Sequence, residues 1–249
     1  MRNKEQIKWW AVVIWLLVLQ VASMVLASDI LLVSPIKVIA RLSELIVTSK
    51  FWLAILFSFL RIVGGFVAAL GLGILFAGLS KRFLRFRQLI TPLIALIKSV
   101  PVASFIILAL IWFSSKNLSV LISFMIVFPV VYTNVLGGIE EVDTKLIEMA
   151  KVYRLSNVRK LRYIYFPQVF PSIRTACSLG LGMCWKAGIA AEVIGMPLGS
   201  VGERLQQAKI FLNTPDLFAW TLVIVVISVV FEKVFLLLLS MLKNRLERI

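Results

Sequence analysis

Six stretches of mainly apolar residues, at about 9–27, 51–79, 88–113, 118–138, 172–195 and 217–242, take up more than half of this 249-residue chain. A helix needs roughly 20 apolar residues to cross a hydrocarbon layer about 30 Å thick, and each stretch is close to or beyond that length. In lipid no water satisfies backbone polar groups, so only helices and closed barrels can span. The runs are continuous rather than alternating, which selects helices. The expectation is an all-α polytopic membrane protein with six transmembrane helices, forming a single transmembrane domain over 1–249 with the lipid bilayer as its solvent. A composition 61% hydrophobic and only 16% charged agrees with this.

The chain carries 27 Lys and Arg against 12 Asp and Glu, a net charge of +15. Such an excess can signal nucleic acid, but here the basic residues sort by loop. Arg2, Lys4 and Lys8 precede the first stretch; Lys81, Arg82, Arg85 and Arg87 join the second and third; Lys145, Lys151, Arg154, Arg159, Lys160, Arg162 and Arg174 join the fourth and fifth; Lys243, Arg245 and Arg248 follow the sixth. These seventeen share one side of a six-span arrangement, and only Lys37, Arg41, Lys50, Lys116, Arg204 and Lys209 share the other. Positive residues mark the cytoplasmic side, so both termini are expected in the cytoplasm of a multi-pass protein. The basicity is topological and predicts no nucleic-acid partner. The first stretch has a second reading, a signal peptide cleaved between Ala27 and Ser28, which would leave five spans and an external amino terminus.

Histidine is absent, which removes the usual zinc ligands and the commonest general base. Cys177 and Cys184 are seven residues apart, about 10 Å along one helix, beyond the roughly 7 Å a disulfide tolerates. The sequence therefore predicts two free core thiols, no metal site, no catalytic residues and no cofactor of the chain's own.

Ser34-Pro35 reads as an N-cap followed by proline in the first helical turn, opening an interfacial helix over 35–49. Within it Val38, Ile39, Leu42, Leu45 and Ile46 form one stripe, and Lys37, Arg41, Glu44 and Thr48 the other; a solvated connector is the alternative. The second span carries Arg61 with Gly64, Gly65, Gly71, Gly73 and Gly78, suited to close helix approach. The third contains Lys98-Ser99-Val100-Pro101, placing a proline break near mid-membrane.

Between spans four and five, 139–171 form a long basic cytoplasmic loop. Ile147, Ala150, Leu155 and Val158 make an apolar stripe, and Ser156-Asn157 offers a turn and a new N-cap, so two short helices at an angle are expected, the second limited by Pro167 and Pro171. A basic loop held to anionic lipid heads is the alternative reading. The loop resembles the EAA signature of permease subunits of bacterial ABC importers: Glu-Ala-Ala, three residues, Gly, nine residues, Ile-x-Leu-Pro. Here Glu148-Met149-Ala150, Arg154 and Ile164-Tyr165-Phe166-Pro167 keep every spacing. Arg154 departs from the glycine, whose left-handed turn would cost arginine about 1 kcal/mol or more; the bend is expected either to move to Ser156-Asn157 or to change its angle.

The resemblance extends from about Ser34 onward, to the branch handling nitrate, taurine, alkanesulfonates and thiamine precursors. Its marks are Ser58 to Phe66, Lys98-Ser99-Val100-Pro101, Ile111-Trp112-Phe113, Phe128-Pro129 with Asn134, and Trp185 with Ala191-Glu192. It implies a subunit of the bacterial cytoplasmic membrane that pairs with a second copy, meets cytosolic ABC ATPase subunits holding ATP and Mg, and receives substrate from an external solute-binding protein. Ile147, Glu148, Ala150, Tyr153, Arg154, Leu155, Ser156 and Pro167 would form the ATPase-coupling site, with Glu148 the charged contact, Ala150 allowing close packing and the apolar stripe filling the partner's groove.

Arg61, Lys98, Lys186, Glu192, Glu232 and Lys233 fall within spans, where a central charge costs at least about 2.5–3.5 kcal/mol. Arg61, Lys98, Pro101, Trp185, Lys186 and Glu192 are the candidates to line a translocation pathway; in the alternative, Glu192 pairs with Arg61 or Lys98 to lock helices and Lys233 snorkels to the surface. The loop 197–216 is expected to face the binding protein. The rival function, a self-sufficient secondary transporter or channel, would need coupling carboxylates, for which only Glu192 and Glu232 are available, and the sequence shows no inverted repeat.

Overall fold

The computed structural model describes residues 9–26 and 33–247. Arg2, Lys4, Lys8, the Ala27–Ser28 cleavage point and Arg248 lie outside the described residues. In order the helices are α1 (Trp9–Leu26), α2 (Pro35–Ile46), α3 (Ser49–Arg82), α4 (Leu84–Ser99), α5 (Val102–Trp112), α6 (Ser115–Glu140), α7 (Thr144–Val152), α8 (Asn157–Lys160), α9 (Phe166–Gly195), α10 (Val201–Ile210) and α11 (Thr214–Glu247), with a π-turn at Leu161–Tyr165 between α8 and α9. No strand occurs among the described residues, and helices are one of the two structures that satisfy their own backbone inside lipid. The run Asn157–Gly195 and helices α3, α6 and α11 are long and apolar enough to cross a membrane; α4 and α5 make a fifth if they form one broken span, and Val13–Val25 within α1 is a shorter apolar helix.

Glycine decides how the core closes. Gly65 of α3 abuts the backbone of Val120 and Phe124 and the side chain of Ser123 on α6, and Gly73 abuts Val131, so α3 and α6 run parallel with their backbones in near contact. Gly188 of α9 meets Ile62, while Gly180 meets Phe66 and Val127, so α9 packs antiparallel across both. Gly64, Gly71 and Gly78, at seven-residue spacing, face open space, so two of the five expected close approaches in α3 are made. Ile62, Phe66, Val127, Val131 and Leu181 are fully enclosed by this trio.

At the prolines, one element follows the sequence expectation and one departs from it. The third span is two helices, α4 and α5, bent by 108° across Val100-Pro101. Pro101 supplies no N–H to continue α4 and instead starts α5 in an extended conformation. Conversely, Pro167 and Pro171 do not end the loop's second helix. The Asn157–Gly195 run passes through both, because the π-turn, closed by the Phe166 N–H on the Leu161 carbonyl, widens the helix just ahead of the Pro167 ring.

The directions of α3, α6, α9 and α11 put α2, α10 and the starts of α3 and α11 at one end of the bundle, and α7–α8 at the other.

Candidate functional site

At the α7–α8 end, Asp143 caps α7 by accepting the Lys145 N–H at 2.9 Å, and the Asp143 N–H donates to Gln168 Oε1 at 3.0 Å, tying the loop to α9. Helix α7 ends in a Schellman motif: the Leu155 N–H reaches back to the Ala150 carbonyl at 2.9 Å and the Arg154 N–H to the Lys151 carbonyl at 3.0 Å. The residue held left-handed is Arg154, at φ 51°. The bend therefore neither moves nor opens; arginine adopts the glycine conformation. Ser156 then caps α8, its Oγ accepting the Arg159 N–H at 3.4 Å, as the sequence predicts.

The orientation of this helix pair corrects the apolar stripe. Ala150 is 0% exposed, and Ile147 and Leu155 pack against the bundle's own core. Three of the four stripe residues thus turn toward the protein, Ala150 fully and Ile147 and Leu155 in part; Val158 alone is exposed. What the loop presents outward is Glu148 with Met149, Val152 (78% exposed), Tyr153 (72% exposed), Arg154, Val158 and Leu161. The residue period marks the apolar stripe but not the neighbour that the stripe meets. Pro167 lies in the first turn of α9, half-buried. At the same end Arg87 of α4 pairs with Glu140 of α6.

Within the bundle the six pathway candidates separate. Glu192 is 0% exposed. Its Oε2 accepts the Ser58 hydroxyl at 2.5 Å and the Gly202 N–H at 3.3 Å, while Ser58 Oγ accepts the Val201 N–H at 2.9 Å. The carboxyl thus joins α9, α3 and the start of α10, and the anticipated pairing with Arg61 or Lys98 does not form. Only glycine at 202 lets α10 come this close, since a side-chain carbon there would strike Glu192. Trp185 is 4% exposed, between Phe59 and Phe231 with ring centroids at 6.0 and 6.4 Å. Both side chains are enclosed within the single copy.

Arg61 spends its guanidinium locally, donating from Nε to the Lys116 carbonyl at 2.5 Å and lying 3.5 Å over the Phe57 ring. Lys98 is exposed with Nζ 3.5 Å from Thr133 Oγ1, and Pro101 is exposed at the break. Lys186 is exposed on a stripe of α9 with Arg174, Thr175, Leu179, Gly182 and Met183. The in-span acid Glu232 accepts the Ser178 hydroxyl at 2.7 Å.

At the opposite end, 197–213 is less a free loop than a tucked-in element. Ser200 caps α10 through the Glu203 N–H at 3.0 Å, and Glu203 reaches back to the Gly199 N–H at 2.6 Å. Arg41 of α2 bonds Asp216 of α11 and also Glu44 at 2.5 Å; hydrogen bonding to Asp216, then Glu44, raises the guanidinium's affinity for its proton above the arginine norm.

Membrane-length helices packed through glycine, a broken helix, and a helix-turn-helix anchored at one end define a multi-pass membrane protein. The chain belongs to the family of binding-protein-dependent transport system inner membrane components, which matches residues 69–248, and it is an ABC transporter permease. It is 29% identical over 206 residues to SsuC of Bacillus subtilis, a permease protein named for aliphatic sulfonates transport, covering 81% of this chain and 73% of that one. To the taurine transport system permease protein TauC of Escherichia coli it is 29% identical, over 90% of this chain and 80% of TauC. To the nitrate import permease protein NrtB of Synechococcus elongatus it is 26% identical, over 73% and 68%. A crystal structure of an amino acid ABC transporter with histidines superposes with a TM-score of 0.54 at 21% identity, covering 83% of this chain and 96% of that one, a likeness of fold.

Proposed function

We propose that two copies of this chain enclose one translocation pathway of an ABC importer for a small anionic solute. Sulfonate, taurine and nitrate, for which its relatives are named, share an oxyanion group; a thiamine precursor is the remaining class in that branch. The α7–α8 pair couples each copy to a cytosolic ATPase subunit that binds ATP and Mg, with both termini on that side, and an external solute-binding protein delivers substrate at the α2–α10 end. The chain itself contributes no catalytic residue or cofactor.

The observation that carries this reading is the α7–α8 pair. Its spacing matches the coupling signature, its turn keeps the left-handed geometry in spite of Arg154, and its inner face is anchored in the core. A force applied at Glu148, Val152 and Tyr153 is thereby transmitted to α6 and α9 through a rigid element. The exposed stripe of α9 supplies the pathway wall, since Lys186 facing lipid would cost at least about 2.5–3.5 kcal/mol.

The test is co-purification with the co-expressed ATPase followed by uptake in vesicles. Wild type retains the ATPase and transports only with ATP, and Glu148→Lys with Val152→Asp loses both. Recovery without bound ATPase, together with ATP-independent uptake, would establish a self-sufficient carrier instead.

A further inference from the structure

At the α2 end a cavity of about 300 Å³ opens where α2, α10 and the first turns of α3 and α11 meet. Arg41, Lys50 and Arg204 line it with one acid, Asp216, and with the aromatic rings of Phe51 and Trp220, whose centroids are 5.0 Å apart. The acid is already spent: Asp216 bonds Arg41, which also holds Glu44. Lys50 and Arg204 form no ion pair among the described residues. Two cations without an ion-pair partner among the described residues, Lys50 and an Arg204 that donates to Gln207 Oε1 at 3.4 Å, therefore share a concave site with room for a small anion.

The height of the site and the character of its wall indicate the source of that anion. The cavity is bounded by the first residues of two membrane-crossing helices, Lys50 and Phe51 of α3 and Asp216 and Trp220 of α11, which puts it at the membrane boundary where aromatic and cationic side chains meet headgroups. Its α2 wall turns Val38, Leu42 and Leu45 inward and leaves Ile36 (67% exposed) and Ile39 (63% exposed) on the outer face. Apolar residues of that size on an interfacial helix are suited to acyl chains rather than to water.

We propose that this cavity is a lipid site in which Lys50 and Arg204 hold the phosphate of an anionic phospholipid headgroup, with the acyl chains lying over Ile36 and Ile39. Bound lipid would brace α2 and α10 against the starts of α3 and α11, at the end where substrate enters.

The test uses the permease–ATPase complex extracted into detergent from nanodiscs of phosphatidylglycerol and phosphatidylcholine, with retained lipid counted by native mass spectrometry. Wild type keeps phosphatidylglycerol in preference. Lys50→Gln with Arg204→Gln lowers that retention roughly thirtyfold, from the loss of two surface cations, and Lys50→Arg with Arg204→Lys restores it. Equal retention by wild type and the neutral pair overturns the site. Displacement of the lipid by millimolar inorganic phosphate at fixed ionic strength assigns the cavity to a free oxyanion and overturns the lipid assignment. Unchanged retention with weakened docking of the solute-binding protein assigns the two cations to that protein instead. Should the neutral pair fail to assemble, wild type alone decides: phosphatidylglycerol held no better than phosphatidylcholine ends the proposal.

Discussion

Arg154 holds a conformation that costs an L-residue roughly 1–2 kcal/mol, and it is kept because the Schellman bonds from Leu155 to Ala150 and from Arg154 to Lys151 can close only around it. Arg154→Gly removes that strain but adds freedom to the unfolded chain, for a net gain of up to about 1 kcal/mol. Arg154→Val places a β-branched side chain in the same region and weakens the turn. Hydrogen exchange of the 150–156 amides is expected to slow in the glycine variant and quicken in the valine variant; equal exchange in all three would show that the loop does not depend on this residue. Ser58 poses a comparable problem inside the bundle, because its hydroxyl donates to Glu192 while accepting from Val201. Ser58→Ala leaves a buried N–H without an acceptor and a carboxylate short of a donor, a loss of about 1–3 kcal/mol, visible as a lowered Tm. Ser104→Ala, at an exposed position, is the control and should melt as wild type does.

Among the elements, the α4–α5 break separates what proline does from what packing does. Removing Pro101 would permit one or two more helical hydrogen bonds, each worth about 1 kcal/mol net. Straightening would withdraw Ile106 and Ala109 of α5 from α6 and α9, where they are 0% and 3% exposed, losing roughly 2–3 kcal/mol of burial. Packing wins, so Pro101→Ala should keep the bend. Spin labels at Leu84 and Trp112 are expected about 25 Å apart for legs bent by 108°; a shift toward about 42 Å, the length of a straight helix, would show that proline alone sets the break. The same balance explains what the sequence displayed and what it hid. The cap at Ser34, the stop at Pro101 and the cap at Ser156 are local chemistry and were legible. The passage of α9 through Pro167 was not, because a π-turn has no residue signature; nor was the inward turn of Ala150, because period reveals a stripe but not the neighbour it meets. Glu192 looked like an ion-pair partner because charge is visible in a sequence, whereas Ser58 and a backbone N–H 10 residues away are ordinary until the fold brings them together.

For the whole molecule, a single copy leaves one polar surface unexplained, the α9 stripe that includes Arg174, Gly182, Met183 and Lys186. Gly182 has no neighbour within 4 Å of where a side chain would begin, and Lys186 sits nine residues, about 14 Å, inside the helix from Gly195, too deep to reach headgroups without bending the membrane toward it. A lipid-facing position is therefore costly, while a water-filled space shared with a second copy places the charge where an anion passes. Two consequences follow in one experiment. With Cys177 and Cys184, both buried, replaced by alanine, Met183→Cys on the stripe should give a covalent dimer with a short bis-maleimide in membranes, whereas Val152→Cys on the coupling face should not. In the same vesicles Lys186→Gln should raise the KM for an anionic substrate while leaving ATPase recruitment intact, because it removes attraction in the pathway and touches nothing at α7. Monomeric Met183→Cys together with unchanged uptake by Lys186→Gln would mean that the stripe faces lipid and that the pathway runs elsewhere in the bundle.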